Sequence, residues 1–196
     1  RFMGDDPKEE APVSAVRPVR FPPPEALEGL FRENGPLVFR TAYRLTGSAA
    51  DAEDVLQTVF LRLAGREDLG GLGGLGAEPR AYLHRAAVNG ALDLVRSRLS
   101  AAGTLALEDH GGDVESREAS PDAAAEAREL RARLRRAVGR LAPRVAEVFV
   151  LRALEGIPNR EIARLLGSSP AVVAVQYFRA RTQLRRELLT EGGGPS

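Results

Sequence analysis

The chain has no cysteine, only 5% aromatic residues, and no long run of β-branched residues. Without cysteine, disulfides, thiol catalysis and cysteine-ligated zinc are excluded, a composition that suits a reducing cytoplasm. Without β-branched runs, strands are not expected; Ala, Leu and Arg dominate and favour helices. No apolar run approaches the ~18 residues of a membrane span, and no signal peptide is visible at the start, so a soluble, cytoplasmic protein is expected. The only two histidines, His84 and His110, have no ligand or nucleophile pattern around them. The linker carboxylates lack a rigid scaffold. Enzymatic activity, a metal, a cofactor and a small-molecule substrate are therefore not expected.

What is present is helical patterning and segregated charge. Net charge is only +1 over 196 residues, but the segments differ. Residues 1–24 carry four basic and four acidic groups, and 25–99 carry nine and ten. Residues 100–127 hold one basic group against seven acidic, and 128–189 hold fourteen arginines against five glutamates. Two small domains follow from this division, 25–99 and 128–189, joined by a flexible acidic linker at 100–127. A Pro-rich disordered leader (1–24) precedes them and a frayed tail (190–196) follows. The fold class is all-α. A basic C-terminal domain argues for a polyanion partner.

Gly156–Leu188 carries the sharpest local signal. Ile162, Leu165 and Leu166 mark one amphipathic helix; Val173, Tyr177, Ala180 and Leu184 mark the next. Between them, Gly167 suits a left-handed position, Ser169 an N-cap and Pro170 a first helical turn. This is a helix-turn-helix, whose second helix commonly enters a DNA major groove, although a helical hairpin that closes a core has the same spacing. Leu130, Leu134 and Val138, then Val145, Val148, Phe149 and Leu154, add two helices and complete a four-helix unit.

In the first domain, Leu27, Leu30, Phe31, Leu37, Val38, Ala42 and Leu45 define a helix with a break or kink expected at Gly35-Pro36. Ser48 and Asp51 form a capping-box variant that starts Ala49–Leu63. Val55, Val59 and Leu63 face its core. Asp54, Gln57, Leu61 and Phe60 form an outer strip that is either a docking surface for a helical partner or a capping and solvated face. Arg66–Pro79, with five glycines, is expected to be a surface loop and matches no phosphate-binding motif. The helix Arg80–Leu99 carries Asn89 and Gly90 in its middle, where both lower helix propensity. An Asn there can read a base edge or an extruded base, or it can simply face solvent.

Taken in order, these parts resemble an extracytoplasmic-function sigma factor, the small two-domain class of the bacterial sigma-70 family. AEDVLQTVFLRL (Ala52–Leu63) is similar to region 2.2 and RAYLHRAAVNGALDLVRSR (Arg80–Arg98) to regions 2.3 and 2.4. Leu141–Leu188 is similar to region 4. The resemblance implies a non-catalytic subunit that binds core RNA polymerase and promoter DNA, with an anti-sigma factor as a further partner. It implies that Asp54, Gln57 and Phe60 dock on polymerase. It places Asn89 against an extruded base of the minus-ten element, with Tyr82, Arg85, Arg96 and Arg98 as stacking and phosphate-contacting neighbours. In region 4, Arg144, Arg160, Arg164, Gln176, Arg179 and Arg181 are the implied contacts to minus-thirty-five DNA. The family usually presents hydroxyl, Lys and Arg groups on its recognition helix, whereas this chain has Val172, Val175 and Phe178, three apart. That stripe either contacts thymine methyls or buries against protein: an anti-sigma helix, the chain's own first domain, or a second copy. The competing class is a stand-alone helix-turn-helix regulator that does not bind polymerase.

Overall fold

The computed structural model describes residues 24–65, 79–101 and 121–192. Helix α1 spans Pro24–Thr46, α2 Ala49–Ala64 and α3 Pro79–Ala101; α4 spans Pro121–Arg140 and α5 Pro143–Phe149. A π-helical turn, Val150–Leu154, leads on to α6 (Asn159–Leu165) and α7 (Pro170–Gly192). No strand occurs among the described residues, as the composition leads one to expect. The leader up to residue 23, most of the glycine-rich loop (66–78) and the middle of the acidic connector (102–120) lie outside the described residues.

Several boundaries differ from the sequence expectation. Gly35-Pro36 does not break α1, which runs on with Pro36 inside it. Proline leaves the Arg32 carbonyl without its helical partner, and the packing of α1 against α2 and α3 carries the helix past that position. Helix α4 begins at Pro121, inside the segment expected to be linker, because a proline suits a first turn and Asp122 follows it there. Helix α7 extends to Gly192, into the segment 190–196 expected to fray.

The local signals at the helix ends act as their chemistry requires. Gly47 closes α1 in the left-handed region at φ 72°, and Ser48 Oγ accepts from the Asp51 amide at 3.3 Å to cap α2. At the end of α6, Gly167 has φ 56°. Its amide donates to the Arg164 carbonyl at 3.3 Å and that of Ser168 to Ala163 at 2.8 Å. These two bonds make a Schellman motif. Ser169 Oγ then accepts from the Val172 amide at 3.3 Å and opens α7.

Helices α1, α2 and α3 enclose one core, including Val38, Ala42, Val55, Leu63, Leu83, Val88 and Leu92. Gly90 belongs to this packing: a Cβ there would stand 3.2 Å from Val55 Cγ1, so the glycine lets α2 approach α3. Helices α4 to α7 enclose the second core, with Val148, Leu151, Ile162, Val173 and Ala180. Within it, the Phe149 and Tyr177 rings stack at 6.2 Å.

The two domains are packed together along α3, which touches α4, α5 and α6. Gly139 of α4 sits so close to α3 that a Cβ would come within 2.6 Å of Leu99 Cδ1 and 2.8 Å of Val95 Cγ1. Glu155, at the end of the π-helical turn, reaches back to the first domain with its side chain only 5% exposed. It accepts from Thr41 Oγ1 at 3.2 Å and Arg44 Nη1 at 3.3 Å on α1, and from His84 Nε2 at 2.9 Å on α3. Burial pushes this carboxyl up, but the hydrogen bond and charge of His84, the charge of Arg44 and the Thr41 hydroxyl outweigh burial and hold its pKa below the ordinary 4.5.

A lowered folded-state pKa means that this contact stabilises fully above the unfolded value and is lost as pH falls through the folded one. Domain association, followed by small-angle scattering, should therefore weaken as pH drops below about 4.5, and Glu155→Gln should flatten that dependence. Leu63→Ala, at a fully buried site, should cost about 2–5 kcal/mol in urea denaturation.

Candidate nucleic-acid and polymerase interfaces

Helix α2 presents one face to the first core and the other to solvent. Val55, Val59 and Leu63 point inward, while Glu53, Asp54, Gln57 and Leu61 are exposed. Leu61 is 70% exposed, a large apolar group on an otherwise polar strip. Phe60 departs from the expected docking set. Its ring is buried, edge-on to Phe31 at 5.0 Å, because the core takes up residues next to Val59 as well as Val59 itself. The outward strip is thus Asp54, Gln57 and Leu61.

Helix α3 contributes the second surface. Its apolar side, Leu83, Ala87, Val88, Ala91 and Leu92, is buried in the first core. Tyr82, Arg85, Asn89, Arg96 and Arg98 are all half-buried. They do not form one free basic face. Arg98 pairs with Asp51 in the first turn of α2 and so ties α3 to the start of that helix. Arg96 lies 3.5 Å from Asp93 one turn back. Arg85 and Asn89 converge on one group, the Glu147 carboxylate of α5. Arg85 Nε donates to Glu147 Oε1 at 2.7 Å, and Asn89 Nδ2 donates to the same oxygen at 3.3 Å. The other oxygen accepts from Arg144 Nη1 at 3.0 Å.

Glu147 is 5% exposed at its side chain, so its charge is tolerable only because two guanidinium groups and an amide surround it. Sequence reasoning counted it as one charge among many. The available signal was an acidic residue set between Val145, Ala146, Val148 and Phe149, in a stretch whose neighbours are core.

The third surface is the helix-turn-helix. Arg160, Arg164 and Arg179 are exposed, and Gln176 is half-buried. Arg181 lies over the Tyr177 ring, 5.9 Å from its centroid. Arg144 differs from its expected role as a phosphate contact, since its guanidinium is taken up by Glu147 and by the Leu166 carbonyl at the end of α6. The stripe on α7 faces outward: Val172 is 46%, Val175 51% and Phe178 71% exposed. The chain's own first domain does not cover it in this arrangement.

Family comparisons agree with this layout. A Sigma-70 region 2 model matches residues 30–100, and a Sigma-70, region 4 model matches residues 131–184. The chain is 32% identical over 156 residues to the ECF RNA polymerase sigma factor SigE of Mycolicibacterium smegmatis, covering 80% of this chain and 59% of that relative. It is 36% identical over 155 residues to the RNA polymerase sigma-E factor of Streptomyces avermitilis, covering 77% and 78%. Among solved structures, it is similar to the sigma factor RpoE of Bartonella quintana in complex with the anti-sigma factor NepR, with a TM-score of 0.52 at 16% identity, covering 84% of this chain and 97% of that one. CnrH in complex with the cytosolic domain of CnrY gives 0.52 at 24% identity, with coverage of 87% and 90%. At these identities the structural likeness is one of fold. Both sigma regions stand in order on a single helical chain that is 36% identical to a sigma-E factor over 155 residues, and the chain belongs to the extracytoplasmic-function sigma factors of the sigma-70 family.

Proposed function

We propose that this chain is a promoter-specificity subunit: it recruits core RNA polymerase, opens the minus-ten element and holds the minus-thirty-five element. The observation that carries this reading is the presence of both sigma regions on one chain, in order. A stand-alone regulator would have no use for region 2, and no observation favours one. In this reading the chain performs no chemistry itself. It works in the cytoplasm beside polymerase, and none of the described helices is long and apolar enough to cross a membrane.

Asp54 and Gln57, with Leu61 beside them, supply the docking strip for polymerase, a helical face with one large apolar anchor. Asn89 reads an extruded base, Tyr82 stacks beside it, and Arg85 and Arg96 hold the flanking phosphates, while Arg98, paired with Asp51, braces the helix. Unstacking a base costs a few kcal/mol, and a pocket with stacking and cationic neighbours offsets that cost. Arg160, Arg164, Gln176, Arg179 and Arg181 engage the upstream duplex, most of them through phosphates. The exposed stripe Val172, Val175 and Phe178 serves protein contact, because apolar surface gains little from phosphates. An anti-sigma factor is its proposed partner, a reading supported by the fold shared with RpoE in its complex with NepR.

Run-off transcription and co-purification with core polymerase test the main reading. Asp54→Arg should abolish co-purification while leaving the helical circular-dichroism spectrum intact; retained binding would remove α2 from the docking surface. Val175→Arg should leave the upstream footprint on promoter DNA in place while weakening capture of the anti-sigma partner. A lost footprint would assign the stripe to thymine methyls instead.

A further inference from the structure

We infer that the cleft between α4 and the second half of α7 is a binding site for a single-chain amphiphile with an anionic head, in its simplest form a fatty-acid carboxylate. Of the groups that line this cleft, only Arg181 is also a proposed DNA contact, so the inference goes beyond the promoter reading.

The cleft has a volume of about 360 Å³, inside the range of about 300–1,000 Å³ of small-molecule sites. Buried Leu184 of α7 and Phe149 of α5 form its floor, and half-buried Leu134 and Leu188 form its sides. Leu189, 71% exposed, stands at its rim. The frame is held in place from both sides. Arg133 Nη2 donates to the Leu188 carbonyl at 2.6 Å and ties α4 to the end of α7. The Phe149 ring is fixed by its stacking on Tyr177. The result is a preformed apolar surface that gains by leaving water.

The charged groups of the cleft are of one sign. Arg181 and Arg185 are the remaining lining residues, and both are exposed. They stand four apart on α7, one turn from each other, where like charges repel. Glu187, close by in sequence, does not line the cleft. Its carboxylate accepts from Gln183 Nε2 at 2.9 Å and lies 3.9 Å from Arg140 Nη1. An anionic head between the two guanidinium groups relieves their repulsion, and a carboxylate accepts from such a fork through both oxygens. A neutral or cationic head does neither.

The length of the floor favours one flexible chain over a protein helix. A helix laid in a groove spreads its anchors over i, i+4 and i+7, about 10 Å. Along α7 the floor runs only from Leu184 to Leu188, about 6 Å. An alkyl chain needs no such spread, since it can fold into the space that Leu134 and Phe149 leave.

Isothermal titration calorimetry of the full chain with sodium decanoate, below its micelle-forming concentration, tests the site. Saturable one-to-one binding is expected, with decanol and decyltrimethylammonium at least about tenfold weaker, as loss of a charge-assisted hydrogen bond implies. Arg185→Glu should weaken decanoate by about tenfold or more, and Arg185→Lys, which keeps the charge without the fork, should fall between. Leu189→Asp should weaken it from the side of the chain, and unchanged circular dichroism and melting temperature confirm that the variants fold. Absence of saturable binding to the unaltered chain overturns the inference. So does equal binding of decanol, or decanoate binding that Arg185→Glu leaves untouched. An acidic amphipathic helical peptide that binds through Arg185 where decanoate does not would assign the cleft to a protein helix, and this too overturns it.

Discussion

A carboxylate withdrawn from water must be met by donors, and two such groups decide how this molecule is put together. Glu147 and Glu155 belong to the second domain, yet most of the donors that satisfy them belong to the first. Buried carboxylates need such donors to offset the cost of leaving water. The packing of the domains is thus not a generic collapse of two apolar surfaces. It depends on particular side chains, and the side chains on α3 are those that the family resemblance assigns to promoter DNA.

That dependence places two demands on α3. Its inner side must complete the first core, which Leu83, Ala87, Val88, Ala91 and Leu92 do. Its polar side must offer cations and an amide to a partner that is itself anionic. Arg98 shows how the demands are separated: by pairing with Asp51 at the start of α2 it fixes the helix rather than reaching outward. Arg85 and Asn89 remain as the exchangeable donors. Gly90, next to Asn89, lowers helix propensity, but the reason lies in the core, where Val55 leaves no room for a larger residue without adjustment. The two neighbouring departures from helical preference therefore have separate causes.

Much of the architecture was legible in the sequence because it is written in local chemistry. The Gly167-Ser168-Ser169-Pro170 turn, the Ser48 cap and the apolar spacing of α7 all depend on residues within one or two turns of each other. The end of α1 at Gly47 is of the same kind. What escaped depends on contacts far apart in the chain. Phe60 reads as an outward residue by spacing, but Phe31 supplies a ring that draws it inward. Arg144 reads as a free cation, but its guanidinium closes the end of α6 and holds Glu147. The break expected at Pro36 is absent for another reason: the packing of α1 against α2 and α3 outweighs the one helical bond that proline removes.

The packed arrangement engages one of the two proposed DNA surfaces and leaves the other exposed. Glu147 of α5 holds Arg85 and Asn89, whereas Arg160, Arg164 and Arg179 face solvent, as do Val172, Val175 and Phe178. A ligand of the helix-turn-helix meets exposed side chains, while a ligand of Arg85 Nε must displace Glu147. Duplex DNA or a protein that grips α7 can bind this form, and its binding energy bears on the domain packing only to the extent that it prefers one separation of the domains over the other.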